Sequence, residues 1–130
     1  MTFRDALRSK RLLLMDGAMG TELIRRGYVG PTWRANLDAP ELVAAIHAEY
    51  AAAGAEVSLT NTFLLPEAPD KAATVGPAAV CLARAANPTG YVLGSITPLD
   101  FVGLNALATC IQALAGVDGI LLETCAGPVA

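Results

Sequence analysis

The chain has 130 residues, 54% of them hydrophobic, which is the length of one ordinary domain with enough apolar material for a core and excludes a disordered chain. Nine basic and 12 acidic residues, scattered rather than clustered and summing to a net charge of -3, make no positive field for a phosphate backbone, so nucleic acid is not an expected partner. The mean hydropathy of +0.47 is high, yet the longest uncharged stretch of interest, Phe101 to Val117, is broken by Asn105, Thr109 and Gln112 and falls short of the roughly 20 apolar residues of a membrane span.

In chain order, Arg4, Arg8, Lys10 and Arg11 precede only Leu12–Met15 before Asp16, too brief an apolar run for a signal peptide. The run reads as a strand, and the protein is expected to be cytoplasmic. Asp38 is placed to cap a helix by accepting from the Glu41 backbone N–H, with Pro40 in the first turn and Gly54 as a left-handed stop. Leu42, Val43, Ile46, Tyr50 and Ala53 would line its apolar face, leaving His47 as an exposed helix residue rather than a base or metal ligand. Val57–Thr60 reads as the next strand. Pro77 to Ala86 reads as a helix opening with its proline, Tyr91–Ile96 as a third strand, and Gly119–Glu123 as a fourth. Leu104, Leu107, Ala108, Ile111 and Leu114 predict a helix between the last two, stopped by Gly116.

Apolar strands alternating with helices predict an α/β fold with a parallel sheet of about four βα units. A closed barrel needs eight strands and about 250 residues, whereas a doubly wound sheet is complete with fewer. Length favours an open sheet. The chain stops soon after Glu123 with no helix to cover that strand, so the ending reads as an interruption. Open edges and uncovered inward faces then predict self-association, or pairing with a missing C-terminal half.

Ligands of such folds gather at the carboxyl ends of the strands. There the sequence places 16–22, Thr60-Asn61-Thr62-Phe63, Gly94-Ser95-Ile96-Thr97-Pro98 and Glu123-Thr124-Cys125. Asp16 beside Gly17 and Gly20 suits a cation such as an amino-acid ammonium better than a phosphate, because no lysine follows and the carboxylate repels an anion. Asp16 and Glu123 would face one mouth as a paired anionic grip; alternatively Asp16 caps a helix and Glu123 is solvated. Asn61 is either a ligand-orienting amide or a turn residue. Trp33 either lids a pocket or packs beneath its loop. Cys81, Cys110 and Cys125 have neither disulfide nor C-x-x-C spacing and are each expected as small buried hydrophobes.

Taken in order, 13–23, Ile46-His47-Ala48-Glu49-Tyr50 running to Ala53-Gly54-Ala55, Thr60-Asn61-Thr62-Phe63, Gly94-Ser95 with Pro98, and 117–124 resemble the homocysteine-binding domain of the homocysteine S-methyltransferase family. The resemblance covers most of the chain, from about Leu12 to Thr124. It implies the N-terminal half of a (β/α)8 TIM barrel, with 1-130 as a partial homocysteine-binding domain. It also implies transfer of a methyl group from a donor to the homocysteine thiol, giving methionine, with zinc on three cysteine thiolates activating the sulfur. Asp16 and Glu123 match the positions that hold the homocysteine amino group, and Gly17 the adjacent backbone contact.

This sequence has neither the Gly-x-Asn-Cys nor the Gly-Gly-Cys-Cys stretch that supplies the family's zinc thiolates, so zinc is expected only of a complete domain and the chain alone is expected to be inactive. Cys125 is not counted as a ligand. Segments 64–77 and 97–103 look short for the family, which predicts a trimmed or missing helix after Val57–Thr60. Together with the early stop this fits a truncated or decaying gene product, while deliberate shortening would explain the stop alone. The alternatives are a non-catalytic half-barrel that binds an amino acid or associates with itself, and an aldolase-like phosphate-binding enzyme. The methyl donor cannot be read from these residues.

Overall fold

Val57–Leu59 (β1), Tyr91–Ile96 (β2) and Gly119–Leu122 (β3) pair in parallel in the order β1-β2-β3, Val57 opposite Tyr91 and Leu93 opposite Gly119. The structure is a computed structural model that describes residues 1–9, 11–97 and 103–123. Leucine and β-branched runs suit the middle of a parallel sheet covered on both faces, and in β2 every residue from Val92 to Ile96 is buried. Neighbouring strands follow chain order, like staves of a barrel, rather than reversing about a switch point. The architecture is α/β with parallel strands, as the sequence predicts.

The expected first strand, Leu12–Met15, shrinks to one bridge between Met15 and Val57. Asp16 N–H donates to the Val57 carbonyl at 2.9 Å, and Glu56 and Val57 N–H donate to the Leu14 carbonyl at 2.7 and 3.1 Å. Leu12 is 90% exposed. An apolar run is not held extended where its side chains find nothing to pack against.

Phe3–Arg8 (α1) opens on a capping box between Thr2 and Asp5, and Phe3 meets the Tyr91 ring edge-on at 5.4 Å, below the N-terminal end of β2. Gly20–Arg25 (α2) and the single turn Ala35–Asp38 (α3) lead into Pro40–Ala52 (α4). Asp38 does not cap α4. It closes α3 instead, and its carboxylate accepts from Arg34 Nε at 2.9 Å and the Tyr28 hydroxyl at 3.2 Å. Gly54 does take the left-handed stop, at φ 108°.

His47 is not exposed: its accessibility is 0%, and it is buried with Val43 and Ile46. Helix α4 packs against β1, α2, α3 and Ala72–Ala86 (α5), so its buried arc is wider than the single stripe the apolar spacing marks.

Helix α5 starts five residues before Pro77 rather than at it, because turns Leu65–Glu67 and Pro69–Lys71 wind the chain into helix earlier. Pro77 leaves the Ala73 carbonyl without its helical donor on an exposed face, where water can donate to it. The short 64–77 segment therefore does not remove this helix, which runs for 15 residues. Gly76 admits Leu104–Ala113 (α6) closely: a Cβ there would lie 2.5 Å from the Ala113 carbonyl oxygen.

In α6 the buried side is Cys110 with the following Leu114, backed by Leu107 and Ala113, while Leu104 is 83% exposed. Gly116 provides the stop, at φ 94°. Trp33 lies under its loop in a core with Leu65, Val75, Ile96, Cys110 and Leu114. Cys110 is buried as expected, whereas Cys81 is exposed on α5. No helix among the described residues is long and apolar enough to cross a membrane.

Candidate functional site

The carboxyl ends of the strands enclose a cavity of about 460 Å³, lined by 15–21, Thr32, Leu59 to Phe63, Ser95 and Glu123. Its size suits a small ligand. All four residues singled out from the sequence, Asp16, Gly17, Asn61 and Glu123, line it.

Asp16 follows the bridge at Met15, which holds it at the rim of β1. Its Oδ2 accepts from Leu59 N–H at 3.1 Å. Its Oδ1 is buried with no hydrogen-bond partner among the described residues. Burial raises the carboxyl to about 6 against the pull of the Leu59 N–H, and the Glu123 charge pushes it the same way. Asp16 does not cap α2, whose N-terminus at Met19 has no side-chain cap.

Glu123 follows β3 and continues its ladder, donating its N–H to the Ile96 carbonyl at 3.0 Å. Its Oε2 accepts from the Ser95 hydroxyl. The two acids thus share one mouth, and among the described residues neither has a basic partner.

Gly17 is small for a visible reason. A Cβ there would sit 3.0 to 3.3 Å from the Tyr50 ring and hydroxyl. Tyr50 comes so close because its hydroxyl donates to the Ala18 carbonyl at 2.8 Å, tying the glycine loop to α4. Asn61 is built into the wall: its Nδ2 donates to the Thr32 carbonyl at 2.7 Å, and its own carbonyl accepts from Asn36 Nδ2 at 2.7 Å. Asn36 also donates to the Trp33 carbonyl at 2.8 Å, closing a clasp that holds the loop before α3 against the strand end.

The sequence reading missed Asn36, Thr32 and the roles of Thr60, Thr62 and Ser95. The last three stood in the quoted strand-tip stretches, but nothing in spacing separates a wired hydroxyl from an ordinary turn residue. Pro98, Thr124 and Cys125 lie outside the described residues.

A thiolate zinc centre does not fit the described donors. The cavity offers carboxylates, hydroxyls and an amide, Cys110 is sealed in the core, and Cys81 is on the outer surface of α5. Among the described residues no three His, Cys, Asp or Glu side chains come together as a metal site.

The sequence profile of the homocysteine S-methyltransferase family matches residues 13–127. Homocysteine S-methyltransferase YbgG of Bacillus subtilis (strain 168) is 39% identical over 56 residues, covering 40% of this chain and 18% of the relative. Homocysteine S-methyltransferase of Escherichia coli (strain K12) is 38% identical over 64 residues, covering 46% and 21%. Crystal structures of the homocysteine methyltransferase MmuM from Escherichia coli superpose on 88% of this chain. The apo form has a TM-score of 0.69 at 30% identity over 50% of its length, and the metallated form 0.70 at 27% over 55%. The chain spans about half the length of those solved structures, and the aligned stretches cover about a fifth of the curated relatives.

Proposed function

The chain belongs to the homocysteine S-methyltransferase family, and from that premise we propose that its cavity grips the amino-acid end of homocysteine, in a protein that passes a methyl group from a donor to the homocysteine sulfur to give methionine. The observation that carries this reading is the pair Asp16 and Glu123, two acids on one cavity with no basic partner among the described residues. Half-buried like charges are costly unless a cation joins them. An ammonium group supplies that charge, and its three N–H donors match Asp16 Oδ1, which has no partner among the described residues, and the remaining lone pairs of Glu123.

Gly17 would present backbone to the ligand, and Asn61 would keep the wall rigid through Thr32 rather than reach the ligand with its amide nitrogen. The residues 1–130 act as one partial homocysteine-binding domain. These side chains bind and orient; among those described, no thiolate set is available to activate the sulfur, so no chemical step is assigned to zinc here.

Calorimetry with L-homocysteine and with 4-mercaptobutanoate, the same molecule without its amine, tests the grip. Heat with the first and none with the second is expected; no heat from L-homocysteine at millimolar concentration overturns the reading. A second reading, self-association through the open edge, is favoured by Leu12 and Leu14, 90% and 54% exposed. Light scattering showing a monomer at tens of micromolar would remove it.

A further inference from the structure

Thr60, Thr62 and Ser95 form a closed ring of hydrogen bonds beside Glu123, and the supply of hydrogens allows it one arrangement. The Ser95 carbonyl can only accept, so Thr62 donates its hydroxyl to it, at 2.7 Å. That spends the single hydrogen of Thr62, and the 2.6 Å contact between Thr60 and Thr62 must be donated by Thr60. Thr60 Oγ1 in turn accepts from the Ser95 backbone N–H at 3.1 Å. The three residues are 3%, 0% and 2% exposed, so water offers little substitute for a lost partner. With backbone donor and acceptor on either side of it both tied, Ser95 turns its hydroxyl to Glu123 Oε2.

We propose that Thr60, Thr62 and Ser95 are positioning residues that hold the Glu123 carboxylate in one orientation for a ligand ammonium group. This rests on Glu123 belonging to the ammonium grip proposed above. Glu123 stands just past β3, and a glutamate side chain left alone there would spread over several rotamers that binding must freeze. The Ser95 hydroxyl fixes one carboxylate oxygen and leaves the other for the ligand. The threonines act at one remove: they lock the Ser95 backbone, and so carry the alignment from the exit of β1 through β2 to the exit of β3.

The test compares Thr62→Val, which keeps the branched shape and loses the hydroxyl, with Thr62→Ser, which keeps the hydroxyl and loses the methyl. Ser95→Ala removes the final link. Two readouts are taken: the side-chain carboxyl carbon resonance of Glu123 in the unliganded chain, and the affinity for L-homocysteine by calorimetry. Thr62→Val and Ser95→Ala should both move the resonance and weaken binding roughly tenfold, while Thr62→Ser leaves the resonance in place and the affinity within about twofold. An unmoved resonance in Thr62→Val, or equal damage from Thr62→Ser, overturns the proposal, the latter because packing rather than hydrogen bonding would be responsible. Should the native chain not bind L-homocysteine, the proposed function fails while the resonance still judges the ring. Should Thr62→Val not fold, Ser95→Ala alone decides whether Glu123 is held.

Discussion

The two ends of one parallel sheet treat their carboxylates in opposite ways. At the N-terminal ends, Glu56 meets Arg11 at 2.6 Å, and Asp118 meets Arg84 at 3.0 Å while accepting the Val92 N–H at 2.8 Å. At the carboxyl ends, Asp16 and Glu123 have a backbone N–H and a hydroxyl respectively but no basic partner among the described residues. An acid with its own arginine is complete within the fold. A pair without one is tolerated at a cost, and such uncompensated charge concentrates where a ligand completes it.

The strongest way to break this comparison is to remove one acid at the mouth. Glu123→Gln and Asp16→Asn should each weaken L-homocysteine at least about thirtyfold, the usual penalty for truncating one side of a hydrogen-bonded charge contact. Calorimetry at pH 7.5 with binding kept within threefold would show that the acids are not the grip.

A smaller effect separates the mouth from the helix layer through the sign of its pH dependence. His47 is sealed in α4 with neither ring nitrogen partnered among the described residues, and burial lowers it to about 4 from an ordinary 6.5. Between those values the unfolded chain takes up a proton that the folded chain refuses. Its contribution is therefore complete above about pH 6.5 and lost as pH falls toward 4, on the order of 2 kcal/mol. Relative to the native chain, His47→Leu should lose less stability over that window, as read by urea unfolding at pH 7 and pH 4.5. Parallel behaviour of the two chains would count against the burial.

Asp16 runs the other way. Its carboxyl is raised to about 6 from 3.8, so between those values the folded chain keeps a proton that the unfolded chain has released, and stability falls as pH rises. Asp16→Asn, whose side-chain oxygen can still accept from Leu59, should gain about 1 kcal/mol over the native chain at pH 7, discounted for partial exposure, and nothing at pH 4. A variant less stable than native at pH 7 would mean that the charged form is favoured by something outside the described residues.

The smallest effect belongs to the paired end. Arg84→Gln removes the contact with Asp118, and with it a hydrogen bond to the Gly116 carbonyl. It should cost about 0.5 kcal/mol, shrink in high salt, and leave L-homocysteine affinity within about twofold. A larger change in affinity would erase the distinction between the two ends.

Much of the plan was legible because its signals are local. Tyr91–Ile96 is mainly apolar, with Ser95 its one aliphatic polar side chain, and is a strand with those limits, and Gly54 and Gly116 stop their helices because a left-handed residue suits glycine. Asp16, Gly17, Asn61 and Glu123 were singled out as residues just past apolar runs, and the first two and Glu123 also by the resemblance; all four line one cavity. Misreadings occurred where a residue had two local uses. Asp38 has a capping residue's chemistry and spacing, yet Arg34, four residues earlier, takes its carboxylate. Pro77 looks like a first-turn proline, yet two tight turns upstream begin the helix before it. His47 has alanines around it and reads as surface, yet neighbouring elements wrap α4 more widely than its own periodicity shows.

The sequence by itself determined the alternation of strand and helix, the parallel α/β plan and the places where strand tips would carry polar groups, since each follows from composition and spacing along the chain, while its motifs, taken in order, carried the resemblance to the family. Only the tertiary structure decided which tips meet, which carboxylates acquire an arginine, and that Thr60, Thr62 and Ser95 close a ring on Glu123. Those outcomes depend on groups far apart in the chain arriving within hydrogen-bond reach, and on how much water they exclude when they do, and neither quantity is written in local order.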